Sequence, residues 1–185
     1  MKMAESFSNS LSRAAGIVTT YAGSTVGAAG TVITVTANTG IGVSDLIDNQ
    51  HFIAGTRVAQ IVGTTIYADR NSLNQSSATS QVVNFLGPTT AYTSPAATKS
   101  ILVGGTFANN TNSNIHVTVE LLDSSVGVTS TGSIAIASKI PIPAGSSFVI
   151  SDIGKTVLES RDELRVYCDT NNAVDVSLSI LTGVS

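Results

Sequence analysis

Few residues of this chain have side chains suited to catalysis or metal binding. The 185 residues include 2 His, 1 Cys and 12 carboxylates. His51 follows Asp48 by three positions, but a metal site needs at least three converging ligands, and the sequence offers no third one nearby. His116 alternates with Thr118 and Glu120 on the polar side of a predicted strand. We therefore interpret His51 as a loop residue bonded to the Asp48 turn and His116 as a solvated surface residue, and we predict no metal site.

The other candidates for chemistry have simpler structural interpretations. Serines and threonines abound, but no G-x-S-x-G motif is present, and the glycine-rich stretches lack the lysine of a phosphate-binding loop. Cys168 falls on the same strand face as Leu164 and Val166, which predicts a buried, inert thiol. We predict no catalytic residue and no bound cofactor, and hence a protein that is not an enzyme.

One region is dense in charge, with Asp152, Lys155, Glu159, Arg161, Asp162, Glu163 and Arg165. Neighbouring carboxylates bind Ca²⁺ only when the loop also supplies oxygen ligands at suitable spacing, and that spacing is absent. Mixed signs instead predict a solvated loop and strand edges protected against aggregation.

Composition excludes several classes of partner. Charged residues make up 11% of the chain, apolar residues 42%, and the net charge is −3. Binding to nucleic acid needs clustered Lys and Arg, whereas the nine basic residues are dispersed. No run of about 18 apolar residues is present to cross a membrane, and the first ten residues lack the apolar core of a secretory signal. We therefore expect the protein to be made in the cytoplasm. A weakly charged surface suits packing against other protein, which predicts a homo-oligomer.

The elements that would position these residues are predicted to be strands. Short stretches rich in Val, Ile and Thr alternate with turns of Gly, Asn and Pro, which predicts an all-β fold of two small antiparallel modules. We expect a small barrel-like or sandwich-like module over 14–87, a Pro-containing linker over 88–98 and a β-sandwich over 99–185. A hairpin with Gly63 at its turn is expected in the first module.

Within the sandwich, the alternation predicts three apolar stripes. Ile101, Val103 and Phe107 should share one face, and Val174, Val176, Leu178 and Ile180 another; Ile115, Val117, Val119 and Leu121 form the third. Its opposite side, with His116, Thr118 and Glu120, is expected to face water.

The polar N-terminus is expected to behave differently from both modules. Residues 1–13 lack strand alternation, and Phe7 and Leu11, four positions apart, are their only large apolar residues. Both a short helical turn and a flexible arm that orders on a neighbouring subunit fit this pattern. We predict that Phe7, Leu11 and Arg13 make assembly contacts.

The C-terminal half resembles a segment common in small virion proteins of tailed bacteriophages. The likeness rests on P-x-P-A-G-S at 141–146, K-x-V-L-E at 155–159 and D-x-L-x-V at 162–166. Upstream, residues 55–66 are similar to a G-T-x-V-x-x-I-x-G-T-T-I hairpin of phage surface modules, and residues 14–182 together resemble structural proteins of contractile-tailed phages of marine cyanobacteria. The resemblance implies a late-expressed virion component of β-sandwich type, located in the virion and bound to other capsid or tail proteins.

Three functions are compatible with these observations. The first is a non-enzymatic virion structural protein, with capsid decoration (a cement-type protein held by subunit contacts and an arm) placed ahead of an accessory role in the tail, neck or baseplate. The second is a carbohydrate-binding or host-adhesion module, for which Tyr92 and the three other tyrosines would supply the aromatic contacts. The third is a hydrolase, ranked last because no His-centred site can be assembled.

Overall fold

The structure is a computed structural model that describes residues 5–126, 132–151 and 156–184 of the chain. In these ranges it has no helix, and every paired strand is antiparallel, which confirms the predicted all-β class. The strands are β1 Ser6–Ala15, β2 Ile17–Val26, β3 Val32–Thr34, β4 Leu46–Asp48, β5 Val58–Val62, β6 Thr65–Ala68, β7 Ala78–Gly87, β8 Thr89–Thr93, β9 Lys99–Asn109, β10 Ile115–Leu122, β11 Ser133–Ile142, β12 Ser147–Ile150, β13 Thr156–Leu158, β14 Glu163–Cys168 and β15 Val174–Val184.

The chain divides into two compact units whose boundaries differ from the predicted ones. Residues 17–88 form a barrel unit, and residues up to Gly16 together with those from Thr89 onward form a sandwich unit. The predicted linker over 88–98 is wrong for its first half, because β8 is a strand of the sandwich that pairs with β14. Prolines and small residues are typical of a linker. The strand was not apparent from the sequence because β8 is short and its pairing partner lies about 70 residues away in the chain.

The sandwich unit consists of two sheets with a shared core. The front sheet has the order β1-β15-β9-β12, with β13 also paired to β9, and the back sheet has the order β11-β10-β14-β8. Two of the predicted stripes meet between them in one buried cluster, which contains Val174, Val176, Leu178 and Ile180 of β15 and Ile115, Val117 and Val119 of β10. Leu121, the fourth residue of the predicted β10 stripe, is only partly buried against that cluster. Leu164, Val166 and Cys168 join that cluster from β14, as their shared face predicted.

The stripe predicted on β9 is only partly correct. Phe107 is fully buried, but Val103 is exposed and Leu102 takes the inward position. The pairing of β15 with β9 shifts register between Ser179 and Ile180, so that Val103 has no partner on β15. Such a bulge reverses the facing of every residue on one side of it, and simple alternation cannot anticipate it.

The predicted N-terminal arm is also wrong for its described part. Residues 6–15 form β1, which pairs with β15 from Ser6 opposite Thr182 to Ala15 opposite Val174. The inward side of β1 carries serines, and Ser10 donates a hydrogen bond of 2.9 Å to the carbonyl of Ala91 on β8. The segment looked disordered because a strand whose inward residues are serines has no apolar stripe.

The barrel unit is one six-stranded sheet in the order β4-β7-β2-β3-β6-β5. Its two end strands are joined by a bridge between Leu46 and Arg57, with hydrogen bonds of 2.8 Å from Ser44 N to Val58 O and from Ile47 N to Thr56 O. The predicted hairpin is confirmed, since β5 and β6 pair across Gly63. The glycine has a positive φ of 57° there, as a tight hairpin turn requires.

Candidate functional site

The three residues predicted to make assembly contacts share one exposed face of β1. Alternation along the strand directs Phe7, Leu11 and Arg13 away from the core, and the serines between them point inward. Phe7 is 62% exposed and Leu11 is 75% exposed, which is unusual for apolar residues of a regular strand. The structure therefore brings these residues together on the outer face of the front sheet, although on a paired strand instead of an arm.

Apolar residues continue across this sheet in a row perpendicular to the strands. Phe7 lies opposite Leu181 on β15, Leu181 lies opposite Ile101 on β9, and Ile101 lies opposite Val157 on β13. Phe7 and Val157, at the two ends of the row, are exposed, and the two residues between them are half-buried. The row is not apparent from the sequence, because its members are far apart in the chain and meet only through strand register.

A second row contains a depression. Leu11 on β1 and Val149 on β12 are exposed, and Ser177 and Thr106 lie between them in register. Because the two central side chains are small, the surface sinks into a groove of about 360 Å³ between β1, β15 and β9. Leu11, Arg13, Thr106, Ala108, Asp175 and Ser177 are among the residues that line it.

One end of the groove is polar and contains the carboxylate of Asp175, which is hydrogen-bonded within the chain. Asp175 Oδ1 accepts hydrogen bonds from the backbone N–H of Ala14 at 2.9 Å and from Asn110 Nδ2 at 3.2 Å. Arg13 is exposed and has no ion pair with any residue in the part of the chain that the structure describes. The groove thus has an apolar floor and wall and one cationic side chain available to a partner.

The two histidines lie apart from each other, each beside a different polar partner. Among the described residues, no group of three His, Cys, Asp or Glu side chains is placed to hold a metal ion. His116 Nδ1 lies 2.8 Å from Asp169 Oδ2 at the surface of the back sheet. The His51 backbone N–H donates a hydrogen bond of 2.9 Å to Asn49 Oδ1, and the His51 ring lies 3.2 Å from Gln81 Oε1.

The predicted water-facing side of β10 is wrong for two of its three residues. Thr118 and Glu120 are buried, and only His116 is exposed. Tyr167, on the neighbouring strand β14 opposite Thr118, is fully buried as well. Thr118 Oγ1 accepts a hydrogen bond of 3.0 Å from the backbone of Lys139, at a bulged part of β11. Local alternation shows only that these residues lie on one side of a strand, and burial of that side depends on distant parts of the chain.

Cys168 is the buried thiol that the sequence predicted. Burial, with a smaller contribution from the neighbouring Asp169 carboxylate, raises the pKa of this thiol to about 11 against opposing hydrogen bonds from the backbone. A thiol that stays protonated at neutral pH is a poor nucleophile. The structure thus gives a physical reason for its inertness.

The charge-dense region is structural where the structure describes it, while Asp152 and Lys155 lie outside the described residues. Glu159 forms an exposed ion pair of 2.9 Å with Lys99, and Glu163 forms one of 2.9 Å with Arg165. Asp162 is buried instead of solvated, contrary to prediction, and its carboxylate accepts hydrogen bonds from the backbone N–H groups of Ser124 and Glu159. This carboxylate joins two loops, and both of its oxygens accept hydrogen bonds from them.

No family model matches the chain, and no curated protein or solved structure matches it. Within the described ranges, no helix is long and apolar enough to cross a membrane.

Proposed function

We propose that this chain is a non-enzymatic structural protein of a contractile-tailed bacteriophage virion that attaches through the outer face of the front sheet. The observation that carries the proposal is the exposed apolar surface on that face, formed by the Phe7 row and the groove beside Leu11. The resemblance of residues 140–181 to phage virion proteins supports the choice of particle.

The size of the face fits a binding role. Four strand positions about 4.8 Å apart and about 10 residues long cover roughly 600 Å². A stable interface takes about 800 Å² from each partner. One such face supplies most of a stable contact, and several copies on a lattice would add avidity.

Capsid decoration is the position on the particle that we place first. A small protein of two β units with one weakly charged binding face suits a repeated lattice of capsid subunits. An accessory role in the tail, neck or baseplate is the alternative, and the same face would serve it. In both cases the partners are other virion proteins, with no role for nucleic acid, membrane or cofactor.

The adhesion alternative gains no support from the tyrosines. Glycan sites present exposed aromatic platforms, whereas Tyr92 is half-buried with its hydroxyl 2.8 Å from Ser100 Oγ. The Tyr21 hydroxyl donates to the carbonyl of Thr39 at 2.7 Å, and Tyr167 is fully buried. We therefore rank adhesion below the virion role.

The decisive experiment combines labelling with surface variants. Gold-labelled antibody on purified particles should mark the head if the protein decorates the capsid and the tail or neck if it is an accessory there. Absence of label from all particles would overturn the proposal.

The double variant Phe7→Ser/Leu11→Ser tests the attachment face. Each exposed apolar side chain buried on attachment stabilises the contact by about 1 kcal/mol or more, so incorporation into particles should fall at least tenfold. Ile134→Ser is the matched control, because Ile134 is 69% exposed but lies on β11 of the other sheet. Point variants are preferable to deletion of residues 1–13, which would remove most of β1 from the fold. Unchanged incorporation of the double variant would refute attachment through this face.

A further inference from the structure

The front sheet ends in a strand edge that is unusually open. β1 is the terminal strand of that sheet, ten residues long, and pairs only with β15. Half of its backbone N–H and C=O groups therefore point away from the sheet. From Ser6 to Ser12 its register with β15 is unbroken, and the strand contains neither Pro nor Lys. A long, regular edge without such residues is a template for pairing with another chain.

The other terminal strands carry the features that normally prevent such pairing. β12 and β13 have four and three residues, and β8 has five. β11 is ten residues long, but it is bulged at two points, contains Pro141, and holds Lys139 at a positive φ of 53°. The barrel unit closes its sheet through the bridge between Leu46 and Arg57. β1 has a register shift of its own between Ser12 and Ala15, with Ala14 at a positive φ of 57°, but this lies at the end of the strand. Among the described strands, Ser6–Ser12 of β1 is therefore the long regular edge left without protection.

The outward residues of β1 are complementary to the same residues of a second copy when the two strands run antiparallel. Counting outward from Asn9, Phe7 and Leu11 lie two positions away, and Glu5 and Arg13 lie four positions away. In an antiparallel pair of two β1 strands centred on Asn9, Phe7 of each copy faces Leu11 of the other. Glu5 of each copy then faces Arg13 of the other. Both charged residues are exposed and have no ion pair within the described residues.

Neighbouring registers lack this match. Moving one strand by two residues in one direction places Phe7 opposite Arg13, and moving it in the other direction places Leu11 opposite Glu5. Both shifts put an apolar side chain against a charge, and cross-strand pairs of that kind are less stable than apolar or oppositely charged pairs. The register centred on Asn9 is the one that satisfies all five positions.

We propose that two copies of this chain join through β1, antiparallel and centred on Asn9, so that their front sheets form one continuous sheet. Nine facing residues from Glu5 to Arg13 give about eight to ten hydrogen bonds between the strands. The two-fold axis runs perpendicular to the sheet, so the outer faces of both copies lie on the same side. This arrangement is isologous and closed, and so it produces dimers instead of fibres.

The dimer does not depend on where the protein sits, or on its being a virion component. If it is one, pairing would double the attachment face, because the Phe7 row of each copy would continue into the Leu11 row of the other. Failure of pairing and failure of attachment are separable, because the first is measured on the purified full-length chain and the second on particles.

Cysteine cross-linking tests the register. Only at the centre does a residue face its own copy, so Asn9→Cys should form a disulfide-linked dimer under mild oxidation. Phe7→Cys and Leu11→Cys are the controls: each would lie about 13 Å along the strand from its own counterpart, so neither alone should cross-link. An equimolar mixture of these two variants should cross-link. The unmodified chain reports the background from Cys168, which is buried.

Charge reversal tests the same register without cysteines. Arg13→Glu should raise the Kd of the dimer about tenfold or more in sedimentation equilibrium, because two attractive contacts become repulsive. The double variant Glu5→Arg/Arg13→Glu should recover the affinity of the original chain. A monomeric wild-type chain at about millimolar concentration would overturn the proposal. So would cross-linking of Phe7→Cys alone as fast as Asn9→Cys, or a double variant no tighter than Arg13→Glu.

Discussion

Asn109, the last residue of β9, ties the front sheet to the turn between β11 and β12, and replacing it with Ala tests how much that link contributes. Its side-chain Nδ2 donates to the carbonyls of Ser113 at 2.7 Å, Ile142 at 3.0 Å and Pro143 at 3.1 Å. Its Oδ1 accepts from the backbone N–H and the hydroxyl of Thr111, both at 2.8 Å. The turn it holds lies within 141–146, one of the segments on which the resemblance to virion proteins rests.

The expected cost of Asn109→Ala follows from what it leaves unpaired. Asn109 is buried, and so is its bond to Ile142, which belongs to the back sheet. Each lost hydrogen bond typically costs about 1 kcal/mol, and a buried carbonyl left without a donor costs about 1–3 kcal/mol. We expect the free energy of unfolding of the sandwich unit to fall by about 3 kcal/mol. With a urea dependence of about 2 kcal/mol per molar, the midpoint should fall by about 1.5 M.

The assay is urea unfolding of the full-length chain, with hydrogen exchange and mass spectrometry to assign the change to a unit. Peptides from β9 and β11 should lose protection, and peptides from the barrel unit should not. Asn110→Ala is the matched control, because Asn110 is exposed and its Nδ2 bond to Asp175 is a longer 3.2 Å. We expect that control to cost less than about 0.5 kcal/mol. Equal effects of the two variants, or a loss below about 1 kcal/mol for Asn109→Ala, would refute the reasoning.

Two further predictions concern the sandwich unit. Gly16→Ala should lower its thermal midpoint strongly, because φ is +121° and an added Cβ would lie 2.3 Å from the Thr170 carbonyl oxygen. Gly145→Ala is the control, since its φ of +68° is also positive but a Cβ there meets nothing within 4 Å; equal shifts in calorimetry would contradict the steric argument. Burial raises the pKa of Cys168 from 9.0 to about 11, so the folded state holds this proton more tightly than the unfolded chain. Its contribution to stability is therefore complete below pH 9 and is lost between pH 9 and about 11. The stability advantage of the wild type over Cys168→Ala should shrink by about 2 kcal/mol between pH 8 and pH 10.5 in urea unfolding, and a constant difference would contradict the assignment.

Prediction from the sequence succeeded where the signal was local. The alternation in β10 and β15 identified the residues of these strands that enter the core cluster from their apolar sides, and the closely spaced strands around Gly63 identified the β5–β6 hairpin. It failed where a bulge changed the facing of residues, as at Val103, and where a carboxylate expected in a solvated loop is buried, as at Asp162. The abundance of Asn and Asp in turns hides those that hold distant segments together.

For the candidate surface, too, the sequence revealed local features and the structure revealed those that depend on strand pairing. Phe7, Leu11 and Arg13 were singled out from the sequence, because two large apolar residues stand out in a polar segment. The apolar row that Phe7 begins, and the groove beside Leu11, required the register of β1, β15, β9 and β13.

The sequence by itself determined the all-β class, the inert thiol and the strands with one apolar side, because periodicity and composition act over a few residues. Only the tertiary structure decided that the N-terminal segment is a strand, since its partner β15 begins more than 150 residues later in the chain. It likewise decided which residues share the outer face of the front sheet and which strand edge is left open. The physical reason is that strand pairing is made by backbone groups that are the same in every residue, so the choice of partner depends on what the whole chain buries.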